Sequence, residues 1–303
     1  MTQPVPSRQT AAWLVLALDV VATAWSPLLV RWAHMPAIAV GFYRVLFAAA
    51  LLWALLAAAG RLPRRLTRRQ VLLASLGGAF LSLDIAFFYF AVLHAPVGGV
   101  TFLGNSGPVW VGLFTWAITR RLPSARFWTG LAIALAGMAL IVSGDLQRLR
   151  YAFDIGALSS LFAIFAAICF AMYLLVTSHL RGQLDSLPLL ALSTTSGALV
   201  LLLVALCLRV PLVIPGATSL SAVLVIAVVC QVGGYFCLTY ALGHLPAPPA
   251  SVVLLAVAPL TALLAYFVFG DRMTPIQLLG GSLILLAVYT VTRPSPKSAP
   301  STP

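Results

Sequence analysis

Apolar stretches of the length that an α-helix needs to cross a bilayer, about 20 residues, alternate with short polar connectors along nearly the whole chain. The pattern predicts ten such helices, called spans 1 to 10 below. Their predicted bounds are 12–32, 37–59, 71–92, 97–119, 125–143, 155–178, 187–208, 219–242, 247–269 and 275–292. We therefore predict an all-α integral membrane protein with ten transmembrane helices.

The composition of the 303-residue chain excludes a water-soluble protein. Hydrophobic residues make up 62% of the chain and charged residues only 8%, and the mean hydropathy is +1.06. A soluble protein of this size carries about a quarter of its residues charged. The lipid bilayer must therefore cover the surface that charged residues would otherwise provide, and no length remains for an extramembrane domain.

The net charge of +12 comes from basic residues placed between the spans. With the N-terminus in the cytoplasm, twelve fall on the inner side: Arg8, Arg61, Arg64, Arg65, Arg68, Arg69, Arg120, Arg121, Arg126, Arg181, Arg293 and Lys297. Five fall on the outer side: Arg31, Arg148, Arg150, Arg209 and Arg272. Cytoplasmic loops are enriched in Lys and Arg, so this distribution predicts that both termini are cytoplasmic. The excess charge orients the protein in the inner membrane, and nucleic-acid binding is not indicated.

The two ends of the chain are interpreted separately. The first apolar run contains Asp19 and is too long and too polar for a signal-peptide core, so it is treated as span 1. Residues 293–303 are rich in Pro and Ser and predict a disordered cytoplasmic tail.

The chain contains an internal duplication. Residues 91–96 (AVLHAP) match residues 241–246 (ALGHLP) at an offset of 150. His94 and His244 within them are predicted helix caps, with proton relays as the alternative. With one residue of slippage, Pro108 also matches Pro259. The halves are predicted to be two five-helix repeats, 12–143 and 155–292. Because five is odd, the second repeat must thread the membrane in the opposite sense, as in transporters that work by alternating access.

Several stretches resemble a known family of transporters. Residues 240–259 and 269–281 are similar to the last helix pair of EamA-type transporters of the drug/metabolite transporter (DMT) superfamily, and 25–27, 42–52 and 103–109 are similar to its first half. The resemblance extends over nearly the whole chain. It implies two repeats, a bacterial or archaeal cytoplasmic membrane, and secondary transport of small metabolites, often export. One departure is Asp271, which stands where the second-half motif usually has Glu.

Three charged side chains, Asp19, Arg44 and Asp84, stand out within the predicted spans because they lie away from the span ends. Counted at 1.5 Å per residue, Arg44 lies about 10 Å below the outer edge and Asp84 about 20 Å above the inner edge, which is nearly the same depth. Asn105 joins this layer, whereas Asp19 lies only about 10 Å above the inner edge. We predict a polar cluster of Arg44, Asp84 and Asn105, with Asp84 as the better partner for Arg44.

The cluster has two interpretations. Charged groups at membrane depth are costly and usually have a partner or a function. Arg44 and Asp84 form either a structural ion pair or the lining of a central cavity that binds an ionic or zwitterionic substrate or exchanges a proton with it. Asp19 continues into a polar stripe with Thr23 and Ser26 and faces either the cytoplasmic half of the pathway or the water interface.

Further candidates for the cavity lining are polar or aromatic residues within the spans: Thr101, Tyr173, Gln231 and Tyr235. Pro27, Pro108 and Pro259 each remove a backbone hydrogen bond and are predicted to interrupt their spans.

The motifs expected of other functions do not occur. The chain has neither the HExxH nor the GxSxG pattern, so no catalytic residue is assigned, and it has no phosphate-binding Gly-rich loop. Its four cysteines lack metal-ligand spacing, so neither a metal nor another cofactor is expected. The predicted function is transport of amino acids or related small organic compounds without ATP. Export is the preferred direction. A broad-specificity drug or metabolite facilitator, an uptake carrier, a passive channel and a lipid-handling protein remain alternatives, as does a homodimeric assembly.

Overall fold

The computed structural model describes residues 8–63, 66–94, 97–143 and 156–293, and within these ranges all regular secondary structure is helical. Arg64, Arg65, Arg148 and Arg150 lie outside these ranges, as do residues 294–303 of the predicted tail.

The helices follow the predicted spans, with ends displaced by up to four residues. In the first half they are Arg8–Ala24 with Ser26–Ala33, Ala37–Ala58, Arg68–His94, Val97–Gly104 with Gly107–Thr119, and Ala125–Ser143. In the second half they are Ala157–Arg181, Ser186–Cys207, Ala217–Val225 continued by Ile226–Gly234 and Tyr235–Leu242, Ala247–Leu254 with Val257–Phe269, and Pro275–Thr292.

Nine segments of the described chain are long and apolar enough to cross a membrane. Span 4, made of two shorter helices, is the tenth. Large apolar side chains such as Leu14, Leu18, Leu199 and Leu203 are exposed on the outside of the bundle, where lipid covers them. The protein is therefore a multi-pass membrane protein, as predicted.

Local signals in the sequence set several helix starts. At the start of span 10, the Thr274 side chain accepts a hydrogen bond from the Gln277 main-chain nitrogen, and Gln277 Oε1 accepts one from the nitrogen of Thr274. Thr67 and Gln70 make the same exchange at the start of span 3. Each pair satisfies two main-chain N–H groups that the first turn leaves free.

The two halves keep a constant offset of 150 residues through spans 4 and 9. The half-helices of span 4 begin at Val97 and Gly107, and those of span 9 begin at Ala247 and Val257. The predicted one-residue slippage is therefore wrong at Pro108 and Pro259. Proline is tolerated anywhere in the first turn of a helix, so matching prolines do not fix the register.

The two histidines at corresponding positions make the same contact. His94 Nδ1–H donates to the Phe90 carbonyl and His244 Nδ1–H to the Tyr240 carbonyl, both at 2.9 Å. Both side chains thus satisfy carbonyl groups near the ends of spans 3 and 8, which is the predicted capping contact.

The halves meet through corresponding helices. Span 2 packs against span 7, span 4 against span 9, and span 5 against span 10, as a two-fold relation between the halves requires. Spans 5 and 10 cross most closely at two glycines, where a Cβ on Gly137 or on Gly280 would lie 2.5 Å from the main-chain oxygen of the other.

Polar contacts join the helices at the two opposite ends of the bundle. At the predicted outer end, Arg31 Nη1 donates to Asp271 Oδ2 at 3.2 Å, and the Arg31 guanidinium lies 4.3 Å from the centre of the Phe269 ring. At the predicted cytoplasmic end, Arg181 Nε donates to the Thr239 carbonyl at 3.1 Å. These contacts tie span 1 to the loop between spans 9 and 10, and span 6 to span 8.

Candidate functional site

A cavity of about 180 Å³ lies among spans 1, 4, 6, 8 and 9, and is called the central cavity below. Both halves of the chain contribute to its wall. The lining residues are Asp19, Thr23, Gly104, Asn105, Gly107, Pro108, Phe170, Tyr235, Leu238, Ser251, Leu254, Leu255 and Val257.

Two helix breaks at corresponding positions border the central cavity. Span 4 is interrupted between Gly104 and Gly107, and span 9 between Leu254 and Val257. At each break the main chain forms a tight turn, in which Ser106 N donates to the Leu103 carbonyl and Ala256 N to the Val253 carbonyl, both at 3.0 Å. Discontinuous helices of this kind form the substrate and ion sites of transporters with inverted repeats.

Prolines accompany these interruptions, as the sequence predicted. Pro27 and Pro108 are the second residues of the second half-helices of spans 1 and 4, and Pro259 is the third residue in span 9. Proline fits the first turn, where its missing N–H breaks no helical hydrogen bond.

Asp19 forms part of the wall of the central cavity and is buried, with 1% of its surface exposed. Its Oδ1 atom has no hydrogen-bond partner among the described residues. Gly234 gives it space, because a Cβ there would lie 3.1 Å from Asp19 Oδ1. Of the two environments predicted for Asp19, its burial among the helices favours the pathway over the water interface.

Arg44 makes its direct contacts with spans 1 and 8. Its Nε donates to Gln231 Oε1 at 2.6 Å and its Nη1 to Ser26 Oγ at 3.5 Å, and its guanidinium lies 5.2 Å from the centre of the Tyr235 ring. The predicted ion pair with Asp84 is wrong, because the one ion pair within 4.0 Å in the described chain joins Arg31 and Asp271.

The predicted pair does not form because two side chains at similar depth can point in different directions around their helix axes.

Asp84 and Asn105 both line a second cavity of about 310 Å³, called the Asp84 chamber below. It is lined by Ala37, Asp84, Ile85, Phe88, Tyr89, Gly104, Asn105 and Phe170. Ala37 is the first residue of span 2, so the chamber extends toward the predicted outer end. Gly104, Asn105 and Phe170 border both cavities, which makes the two cavities neighbours.

A third cavity of about 430 Å³, called the inner pocket below, lies near the predicted cytoplasmic end. It is lined by Leu73, Thr115, Ile118, Thr119, Met172, Leu175, Val176, Ser178, His179, Pro246, Ala247 and Pro248. Spans 4, 6 and 9 line both this pocket and the central cavity. Val111 and Ala250 lie on spans 4 and 9 between residues that line the two cavities, and together with Leu174 they are completely buried in one hydrophobic cluster. We call these three residues the apolar plug.

The other predicted cavity residues have different positions. Tyr235 lines the central cavity, as predicted. Gln231 is fully buried and contacts Arg44, and the Tyr173 ring, 1% exposed, lies 5.9 Å from that of Tyr235. Thr101 lies one turn before the break of span 4, where its carbonyl accepts a hydrogen bond from Asn105 Nδ2 at 2.8 Å. Gln231, Tyr173 and Thr101 are absent from the described linings of the three cavities.

Sequence reasoning missed Ser251 and Phe170 as neighbours of the site. Ser251 lies 150 residues after Thr101, so applying the repeat offset to that candidate would have found it. No local signal distinguishes Phe170 from the other aromatic residues of the spans.

The central cavity has no ligand set for a metal. Across the ranges that the structure describes, no group of three or more His, Cys, Asp or Glu side chains lies close enough together to hold a metal ion.

These features define a helical membrane protein with inverted halves and a central cavity at paired helix breaks. The sequence model of the EamA-like transporter family matches residues 10–143 and again residues 157–293. The chain therefore belongs to the EamA-like transporter family, and so to a family of transporters and not of enzymes.

Relatives in bacteria and archaea carry transporter names. The chain is 29% identical over 204 residues to the uncharacterized transporter YwfM of Bacillus subtilis, covering 65% of this chain and 64% of YwfM. It is 25% identical over 254 residues to an uncharacterized transporter of Archaeoglobus fulgidus, covering 83% and 86%. It is 25% identical over 137 residues to the pseudopaline exporter CntI of Pseudomonas aeruginosa, covering 45% and 47%. The matches thus span just under two thirds of YwfM and about half of CntI.

A solved crystal structure of a protein has the same fold. It superimposes with a TM-score of 0.77 over 93% of this chain and 96% of that chain, at 16% sequence identity.

Proposed function

We propose that this protein is a secondary transporter that exports amino acids or related small organic compounds through the central cavity by alternating access, without ATP. The observation that carries the proposal is the position of the central cavity between the corresponding breaks of spans 4 and 9. A site between two inverted repeats can open to either side of the membrane when the repeats rock against each other.

The arrangement of the cavities supports this mechanism. The central cavity adjoins the Asp84 chamber through shared lining residues, and the apolar plug lies between it and the inner pocket. Separation of Val111 from Ala250 would join the inner pocket to the central cavity. We take the repeats 12–143 and 155–292 as the two moving halves, in the inner membrane with both termini in the cytoplasm. The site lies within one chain, so the proposal does not require a homodimer.

The direction of transport is proposed from the name of one relative. The named exporter among the relatives, CntI, favours export. A broad-specificity metabolite facilitator is the second candidate, because much of the wall of the central cavity is apolar, including Leu238, Leu254 and Val257. Apolar walls place few demands on the shape of a ligand.

Reconstitution in liposomes tests the function itself. We expect the purified protein to move at least some radiolabelled amino acids or amino-acid derivatives faster than protein-free vesicles, in the absence of ATP. A panel that shows no flux above protein-free vesicles would contradict the proposal.

Asp84 is proposed to couple transport to protons. It lies in the Asp84 chamber, whose described lining residues include no Lys, Arg or His. An imposed pH gradient should accelerate flux through the wild-type protein, whereas Asp84→Asn, which cannot ionise, should not respond to the gradient. Asp271→Asn is the control, because Asp271 is exposed and lies outside the described cavity linings. A full gradient response in Asp84→Asn at normal protein levels would contradict this assignment.

A further inference from the structure

We infer that the central cavity selects compounds that carry an amino group, with Asp19 as the counter-ion of the ammonium. The inference rests on the proposed transport function and narrows its substrate class from amino acids and related compounds to amines.

The first observation is a buried carboxyl oxygen without a partner. Asp19 is 1% exposed and lines the central cavity, yet its Oδ1 atom has no hydrogen-bond partner within the described chain. Buried charged groups are normally paired, because leaving water without a compensating contact is costly. A ligand cation in the cavity would supply the missing contact.

Arg44 does not supply it. Its guanidinium is held by Gln231 Oε1 at 2.6 Å and by Ser26 Oγ at 3.5 Å. Within the described chain Arg44 forms neither a hydrogen bond nor an ion pair with Asp19. The carboxyl group in the wall of the central cavity is therefore left without a basic partner.

The wall of the cavity suits an ammonium group attached to an apolar body. Phe170 and Tyr235 provide aromatic surface, which attracts cations, and Asn105 and Ser251 add hydrogen-bonding groups. The described lining residues include no Lys, Arg or His. A substrate carboxylate would therefore find no basic side chain in the lining, whereas an amine finds Asp19.

The Asp84 chamber also combines a carboxyl group with aromatic side chains. Asp84 lies in the Asp84 chamber, and Asn105 and Phe170 border both cavities. An amine that leaves Asp19 toward the predicted outer end would meet a second carboxyl group, with the amide of Asn105 between the two. The central cavity itself measures only about 180 Å³, below the range of about 300–1,000 Å³ typical of drug-sized ligands. It therefore suits a small amine.

Three probes with the same aromatic ring and different charges test the inference: phenethylamine, phenylalanine and phenylacetate. Binding is measured by calorimetry on the full-length protein in detergent, and flux is measured in proteoliposomes. Phenethylamine should bind at least about tenfold more tightly than phenylalanine, a difference of about 1.4 kcal/mol, and phenylacetate should not bind. This comparison uses only the wild-type protein and does not depend on the folding of a variant.

Variants then assign the effect to Asp19. Asp19→Asn should lose at least about tenfold in phenethylamine affinity, whereas Asp19→Glu should retain most of it. Asp271→Asn should bind like the wild type, because Asp271 is exposed and pairs with Arg31. Thermal unfolding of each variant shows whether it is folded.

The outcomes separate this inference from the function on which it rests. Equal or tighter binding of phenylalanine or phenylacetate would overturn the amine preference and leave the transport function standing. Unchanged phenethylamine affinity in a folded Asp19→Asn would overturn the role of Asp19. If none of the three probes binds or moves while other amino-acid derivatives are transported, the amine inference fails alone, and if no compound is transported, both fail.

Discussion

Gly234 determines how closely span 8 can approach Asp19. A Cβ at this position would lie 3.0 Å from Thr23 Cγ2 and 3.1 Å from Asp19 Oδ1, so the neighbours would have to move. A Cβ on the adjacent Gly233 would meet only the Val228 carbonyl oxygen, at an ordinary 3.5 Å. The two glycines share a helical segment and differ in what they face, which makes them a matched pair.

Gly234→Ala should therefore displace Asp19 and lower substrate flux, whereas Gly233→Ala should leave it nearly unchanged. Crowding of a packed site by one methyl group costs on the order of 1 kcal/mol, which corresponds to roughly a fivefold loss of affinity or rate. Flux in proteoliposomes at equal protein levels measures the difference. Equal effects of the two substitutions would show that Gly234 has no special relation to Asp19.

At the scale of helices, the bundle combines regular spans with interrupted ones. The regular spans 5 and 10 provide a close contact between the halves, where Gly137 and Gly280 face each other's main-chain oxygens. The interrupted spans 4 and 9 enclose the cavity, and the middle of span 8, Ile226–Gly234, is a π-helix. Short π-helical segments often occur at functional sites, and this one carries Gln231 and Gly234.

Gly137→Ala should destabilise the protein, because its Cβ would lie 2.5 Å from the Gly280 carbonyl oxygen and main chain cannot yield as a side chain can. Forced repacking of this kind costs about 1–3 kcal/mol, so the midpoint of thermal unfolding in detergent should fall by several degrees. Gly182→Ala is the control, because its Cβ would meet only the His179 carbonyl oxygen at 3.6 Å. A midpoint that falls equally in both variants would contradict the close crossing of spans 5 and 10.

At the scale of the whole molecule, the three cavities form a series along the bundle, and the apolar plug interrupts this series. The inner pocket lies near the predicted cytoplasmic end and the Asp84 chamber nearer the predicted outer end. We propose that the apolar plug of Val111, Leu174 and Ala250, which are completely buried in one cluster, separates the inner pocket from the central cavity. The positions of the cavities therefore bear on two features of the molecule: the orientation of the chain in the membrane and the side on which the pathway is closed.

Cysteine labelling tests both statements at once. In a variant without the four natural cysteines, a membrane-impermeant maleimide should label Thr119→Cys only from the cytoplasm and Phe88→Cys only from outside. Val111→Cys should react at least about tenfold more slowly from either side, because the open state needed for access is a minor population. Labelling of Thr119→Cys from outside would reverse the proposed orientation, and rapid labelling of Val111→Cys would contradict the plug.

The sequence by itself determined the elements and their repetition. A span needs about 20 apolar residues whatever surrounds it, so the ten spans could be read with end errors of up to four residues. Duplication is visible along one dimension, as in the matching segments that contain His94 and His244. The interruptions at Pro27, Pro108 and Pro259 were also predictable, because proline acts on its own helix.

Only the tertiary structure decided which side chains meet. In a membrane, the face of a helix that packs and the face that touches lipid are both apolar, so the sequence does not reveal how each helix is rotated. For that reason Arg44 was predicted to pair with Asp84 and instead contacts Gln231. Asp19 kept two possible environments for the same reason, because the sequence does not show which face of span 1 turns toward the other helices. The cavity, the plug and the unpartnered oxygen of Asp19 all depend on those rotations.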